Sequence, residues 1–148
     1  MENSIAVYTD GACSYNPGPG GWGAIILRNN QETELSGFEP DTTNNRMELT
    51  AVIQGLTALQ DTTASVTLYT DSQYIVNAIN QHWLDNWQIK GWVNASKKPV
   101  ANRDLWEEII QLNKKYKPTY VWVKGHSTNE YNNRCDALAV QAIKNNVN

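Results

Sequence analysis

Two stretches of this chain close on the same three residues. "IAVYTDGA" runs from Ile5 to Ala12 and "VTLYTDSQ" from Val66 to Gln73, and each is an apolar run ending in Tyr-Thr-Asp. Side chains alternate along a strand, so Tyr8 and Asp10 share a face, as do Tyr69 and Asp71. An Asp after a strand also serves turns and helix caps, and either residue alone fits that use. If the two strands lie parallel and adjacent, however, the carboxylates emerge side by side. Like charges that close cost free energy unless a cation lies between them. Two further acids have the placement to join them. Glu48 has Ala51 and Val52 at helical spacing, and Asp136 has Ala139, Val140 and Ile143, so both border an apolar helix face. Other uses are open to these two: Glu48 favours a helix N-terminus electrostatically, and Asp136 has Arg134 and Arg46 as candidate partners. Four converging carboxylates, in a chain with two histidines and two cysteines, suit hard cations such as Mg²⁺ or Mn²⁺. Two such ions about 3.5–4 Å apart clamp the attacking water and the leaving oxygen in a phosphoryl displacement, with Asp10 the natural bridging ligand.

The elements that must position these acids read in order from the pattern. Ser4–Thr9 reads as a strand, followed by a loop "DGACSYNPGPGG". "WGAIILR" and "ETELSGF" read as strands joined at Asn29-Asn30-Gln31, a pair of asparagines suited to a tight hairpin. "TTNN" opens a helix whose Leu49, Val52, Ile53, Leu56 and Leu59 make one apolar face. Strand "SVTLYT" and helix "DSQYIVNAI" follow, with Asp71 or Ser72 near the cap. "HWLDNW" reads as a short helical turn, "QIKGWVNASKKPV" as an irregular loop, "NRDLWEEIIQLNKKY" as a helix, "TYVWVK" as a strand, and Asn132 to about Lys144 as the last helix. Short links between the first three strands imply an antiparallel meander, and arrival through helices favours parallel pairing of the last two. The expectation is an α/β fold: a five-stranded mixed sheet with helices on both faces and its site beyond the carboxyl ends of the strands.

A length of 148 residues with 41% hydrophobic content suits one domain, 1–148, with a core over about 4–143. No apolar run approaches a membrane span, and no leader pattern opens the chain, so a cytoplasmic protein with both Cys13 and Cys135 as reduced thiols is expected. Net charge is −3, which leaves no global footprint of nucleic-acid binding. Its distribution is uneven. Residues 1–62 hold eight acids against Arg28 and Arg46, whereas Gln88 to Arg103 holds Lys90, Lys97, Lys98 and Arg103 and no acid. Such asymmetry guides an anionic ligand to one part of a surface, though a solvated loop carries charge runs too.

The motifs "YTDGACSYNPGPGGWGA", "TTNNRMEL", "YTDSQYI", "HWLDNWQIKGW", "KKPV", "WVKGH" and "NNRCDALA" follow one another from about Ile5 to Ile143, and together they resemble type 1 ribonuclease H of the bacterial kind. The resemblance implies a ribonuclease H-like fold and metal-dependent endonucleolytic hydrolysis of the RNA strand of an RNA–DNA hybrid, leaving 3′-hydroxyl and 5′-phosphate ends. It places the four metal-binding carboxylates on Asp10, Glu48, Asp71 and Asp136, the four already reached from spacing. It also gives His126, in the loop "VKGHSTNEYNN", a part in proton transfer or product departure. An imidazole is the side chain best tuned for that near neutral pH.

Substrate contacts follow from the same resemblance. Gly11, Cys13, Asn16, Asn44, Asn45 and Gln73 approach the minor-groove edge of the RNA strand, where a 2′-hydroxyl that both donates and accepts distinguishes RNA from DNA. Thr43 and Asn102 hold a DNA-strand phosphate. Tyr74, Trp83 and Trp87 form an aromatic channel for the deoxyribose backbone, and Lys90 belongs to a basic, aromatic handle over about 82–103. Trp83 and Trp87 also stand four apart on one helical face, a spacing that core packing explains equally well. The chain departs from the pattern in three places. Gln88, Ile89 and Val93 occupy handle positions where cations are frequent, Asp41 stands where a basic residue often precedes TTNN, and Asn133 replaces an acid common before Arg-Cys-Asp. A weakly binding handle is therefore expected. The implied partner is the hybrid, with Mg²⁺ in two positions and Mn²⁺ as a substitute. A monomer with no obligate protein partner and no membrane association completes the expectation.

Overall fold

The structure is a computed structural model that describes residues 4–125 and 129–147. Ten elements follow one another: β1 (Ser4–Cys13), β2 (Gly18–Arg28), β3 (Gln31–Thr42), α1 (Asn44–Thr57), β4 (Ser65–Thr70), α2 (Gln73–Asn80), α3 (Trp83–Ile89), α4 (Arg103–Tyr116), β5 (Thr119–Trp122) and α5 (Glu130–Asn146). The strands form one sheet in the order β3-β2-β1-β4-β5, antiparallel from β1 to β3 and parallel from β1 through β4 to β5. The mixed five-stranded sheet expected from the element order is the one observed.

Each element forms for local reasons that agree with its packing. The β2–β3 hairpin turns on Asn29 and Asn30, both with positive φ (53° and 63°), the backbone of a type I′ turn. The Thr43 hydroxyl caps α1 by accepting from Arg46 N at 3.2 Å, and the Ser72 hydroxyl caps α2 by accepting from Ile75 N at 3.2 Å. The apolar face of α1 packs with Ile5 and Val7 of β1, Val66 and Leu68 of β4, and Trp106 and Ile109 of α4 in one buried core. On the opposite face of the sheet α5 lies over β1 and β2. There Tyr8 stacks on Tyr69 (ring centroids 4.5 Å apart) and meets Tyr131 of α5 at 5.0 Å.

One expectation for a loop is corrected and another is largely borne out. The segment after Thr9 is not a loop from Asp10 to Gly21: β1 runs on to Cys13 and β2 begins at Gly18, pairing Asp10 with Gly23 and Cys13 with Gly20. Glycines are poor strand formers, but a helix that lies against the sheet needs them here. A Cβ on Gly23 would fall 2.5 Å from Cys135 O in α5. The stretch after α3 is the irregular loop expected, except that Gln88 and Ile89 belong to the helix. Val93 bridges Pro99, and the Asn94 side chain accepts from both Ser96 N (2.9 Å) and Lys98 N (3.1 Å), closing a hairpin-like tip that carries Lys97 and Lys98.

Candidate metal centre and nucleic-acid interface

The parallel pairing of β1 with β4 ends at Thr9 and Thr70, where β4 gives way to α2. Beyond that point β1 keeps β2 on one edge and faces a gap on the other. Gly11 N points into the gap and donates to Asp10 Oδ1 (2.9 Å) and to Glu48 Oε1 (3.1 Å). Glu48 reaches this position because α1 lies directly on β1. A Cβ on Gly11 would come within 2.5 Å of Glu48 N, so only glycine admits the helix backbone this closely.

Asp10, Glu48 and Asp71 each offer a carboxylate oxygen within 4.8 Å of the other two. Asp136 of α5 lines the same cleft, of about 370 Å³, together with Ala12, Cys13, Asn44 and Ser72. Asp10 and Glu48 are buried, at 4% exposure each, while Asp71 and Asp136 are half-buried. Burial pushes Asp10 up to about 7, with the charges of Asp71 and Asp136 adding to the effect and hydrogen bonds from Glu48 and Gly11 opposing it. Glu48 is also raised, by burial first and then by the charge of Asp10. The alternative partners considered for these acids are engaged elsewhere. Arg46 forms a two-pronged pair with Asp104 (3.0 and 2.8 Å), and Arg134 reaches Glu32 (2.9 Å) and Glu34 (2.8 Å).

A divalent cation fits what the residues present. Glu48 Oε2 is buried and accepts no hydrogen bond among the described residues, an expensive state for a carboxylate oxygen unless a cation is its partner. The donor set is all oxygen, which suits Mg²⁺ or Mn²⁺ rather than zinc. His126 lies outside the described residues.

The remaining residues singled out in the sequence fall in two places. Around the acidic cleft, Asn44, Asn45 and Gln73 are exposed at the first turns of α1 and α2. Asn16 Oδ1 accepts from Asn44 N at 3.1 Å, tying the β1–β2 turn to the start of α1. The Cys13 thiol is directed at the Tyr15 carbonyl, within the same turn. Gly11 has its N–H committed to the carboxylates. The second place is beside α3. Trp83 and Trp87 are half-buried: they pack against the core, and with Asn86, Lys90, Val93, Asn94 and Ala95 they line an apolar groove of about 320 Å³. Their packing against the core accounts for the four-residue spacing, and their outer edges remain open to the groove. Tyr74 OH accepts from Trp106 Nε1 (2.9 Å) and from Asn102 Nδ2 (3.4 Å), which joins the aromatic cluster to the turn before α4. Asn102 Oδ1 in turn accepts from Arg46 Nη1 at 3.4 Å, and Arg46 N meets the Thr43 hydroxyl. Thr43 and Asn102, far apart in sequence, are therefore joined through Arg46, whose backbone N–H meets the first and whose guanidinium meets the second.

Sequence reasoning missed Arg46 as the link between these two residues, Asn94 as the organiser of the basic tip, and Trp122, whose indole N–H donates to Asp71 O at 3.0 Å. Only the tip left a signal: an Asn two residues before a Ser and four before a Lys is an Asx-turn pattern.

Comparison with known proteins agrees with this geometry along the whole chain. The RNase H family pattern matches residues 2–144. A ribonuclease H of Prosthecochloris aestuarii is 58% identical over 146 residues, which is 99% of either chain. Among solved structures, LC9-RNase H1, described as a type 1 RNase H with the type 2 active-site motif, superposes with a TM-score of 0.86 at 31% identity, covering 99% of this chain and 75% of that one. LC11-RNase H1, solved in complex with RNA/DNA hybrid, superposes at 0.74 with 27% identity over 95% of this chain and 97% of that one. From the sheet order, the acids gathered where β1 and β4 part, and a match that leaves only a few terminal residues uncovered, the chain belongs to the ribonuclease H family.

Proposed function

We propose that this chain is an endonuclease that hydrolyses the RNA strand of RNA–DNA hybrids, leaving 3′-hydroxyl and 5′-phosphate ends. The observation that carries the proposal is the convergence of Asp10, Glu48 and Asp71 within 4.8 Å, with Asp136 on the wall of the same cleft, in a chain of this family. That a homologous fold, LC11-RNase H1, was solved with such a hybrid supports the choice of substrate. The four carboxylates, Asp10, Glu48, Asp71 and Asp136, would hold two Mg²⁺ ions, or Mn²⁺ in their place. When bound, these ions supply positive charge to the phosphate under attack and to the water that attacks it.

The chain's own residues do the rest. Glu48 and Asp10 are fixed by the Gly11 N–H and by burial, so the acidic pocket is organised before substrate arrives. Asn44, Asn45 and Gln73 flank the cleft with amides able to donate to and accept from a 2′-hydroxyl. Asn16 and Cys13 hold the adjoining turn in place. Gly11 contributes by having no side chain, so the strand edge comes close to the acids. Thr43, Asn102 and Arg46 form a polar corner suited to a phosphate of the DNA strand, and Trp83, Trp87 and Lys90 offer the apolar, singly charged groove that deoxyribose and phosphate require, with Tyr74 joined to it through Trp106. His126 takes up or delivers a proton as product departs. We assign the protein a monomeric, cytoplasmic role. No helix among the described residues is long and apolar enough to cross a membrane.

The direct test is to incubate a uniformly labelled hybrid with Mg²⁺ and then with a chelator, beside duplex DNA and duplex RNA. Internal cuts confined to the RNA of the hybrid, and abolished by chelation, are expected. Cleavage of duplex DNA at a comparable rate would overturn the assignment.

A further inference from the structure

Asp71 differs from Asp10 and Glu48 in how it is held: both of those take a hydrogen bond from Gly11 N, whereas Asp71 meets the end of β5. Three contacts converge on the β4–α2 junction from that side. Val123 N donates to Thr70 O at 2.9 Å, continuing the ladder one residue past β5. Trp122 Nε1 donates to Asp71 O at 3.0 Å, although the indole is 43% exposed and adds little to the core. Gly125 lies against the carboxylate itself: a Cβ there would fall 2.6 Å from Asp71 Oδ2, with the next nearest atoms at 3.5 Å.

The identity of that nearest atom matters. Gly125 has ordinary φ, so alanine meets no backbone penalty, and the neighbour that must yield is the free end of an acidic side chain rather than backbone. A methyl at this position would thus cost the fold little while displacing the carboxylate of one of the three acids that converge in the cleft. We infer that Trp122 and Gly125 are positioning residues for Asp71, the indole fixing its backbone and the bare glycine leaving room for its carboxylate to face Asp10 and Glu48. The inference rests on the reading of the cleft as a metal centre, and its test separates the two.

Three variants of the full chain are compared with wild type: Asp71→Asn, Gly125→Ala and Trp122→Phe, the last keeping an aromatic ring but losing the N–H. Each is melted in chelator, titrated with Mg²⁺ and with Mn²⁺ by calorimetry, and assayed for kcat and KM on hybrid. Asp71→Asn calibrates the site, and if it leaves both metal affinity and cleavage unchanged, the metal-centre reading fails. Given a loss there, Gly125→Ala is expected to melt within about 2 °C of wild type in chelator, to bind metal at least ~10-fold more weakly, and to lose kcat at least ~10-fold with KM within about 2-fold. Each factor of ten corresponds to ~1.4 kcal/mol. Trp122→Phe is expected to show the same pattern at roughly half that free-energy cost. Metal affinity is the deciding readout, because disturbance of the residues after Gly125 alone would lower kcat without changing it. Wild-type metal affinity in both variants would overturn the inference, as would a large loss of melting temperature in chelator with metal binding intact.

Discussion

Replacing Asp10 by Asn tests the electrostatics of the cleft more sharply than activity does, because it makes a less active protein more stable. In the absence of metal Asp10 is raised from 3.8 to about 7, first by burial and then by the charges of Asp71 and Asp136. An acid that holds its proton more tightly in the fold than in the unfolded chain opposes folding once pH exceeds its unfolded value. Between about pH 4 and pH 7 the native state binds more protons than the unfolded state, so stability falls as pH rises through that window. Raising this carboxyl from 3.8 to about 7 corresponds to at most ~4 kcal/mol. Since Asp10 and Glu48 share the effect, about half that is a realistic figure for one substitution. The amide keeps the shape, still accepts from Gly11 N, and removes one of the two buried carboxylate charges. At 2–4 °C per kcal/mol for a chain of this size, Asp10→Asn should melt roughly 4–8 °C above wild type at pH 8 in chelator, and close to wild type at pH 4. Mg²⁺ should narrow the gap by stabilising wild type more than the variant, since a ligand that binds only the native state raises its melting point. Calorimetric scans over pH with and without metal provide the measurement. Equal melting of the two proteins at pH 8 in chelator, or a wild type that gains stability from pH 4 to 7 relative to the variant, would refute the reasoning.

Three other outcomes are expected. Asp10→Asn and Asp71→Asn should each lower hybrid cleavage by at least ~10²-fold, the scale for losing a few kcal/mol of charge stabilisation, and gel-resolved rates within a few-fold of wild type would count against the two-ion site. Changing Lys97 and Lys98 together to Ala should weaken hybrid binding and flatten the slope of log affinity against log salt by up to ~2, read from titrations in Ca²⁺ at several salt concentrations. Turnover at saturating hybrid should hardly change, as neither lysine lines the acidic cleft. Lys117, which ends α4 in a left-handed conformation with φ 49°, should tolerate Gly with a gain of about 0.5–1 kcal/mol in urea unfolding, because glycine carries no Cβ penalty there.

Much of the site was legible in residue order because it depends on periodicities that the chain cannot hide. The Tyr-Thr-Asp echo works because β1 and β4 pair in register, Tyr8 with Tyr69 and Thr9 with Thr70, so equal spacing in sequence becomes adjacency in space. Glu48 and Asp136 were legible because an acid bordering an apolar helix face has few places to go other than a partner or a cation. The hairpin at Asn29-Asn30 was legible from its positive-φ residues. The glycine-rich stretch was not. By local propensity it reads as loop, yet the ladder of β1 with β2 and the close approach of α5 over Gly23 make strand of it, since tertiary contacts supply what the residues lack. Nor could spacing say where the guanidiniums go. Arg46 turns to Asp104 and Arg134 to Glu32 and Glu34, partners 58 to 102 positions away, and those pairings leave the cleft carboxylates among themselves. The same holds for Trp122 and Gly125 against Asp71. Residue order specifies which groups can ionise, cap or alternate, because those are local properties of the chain. Which of them meet is decided only when helices and strands pack, because packing sets the distances on which repulsion, burial and coordination depend.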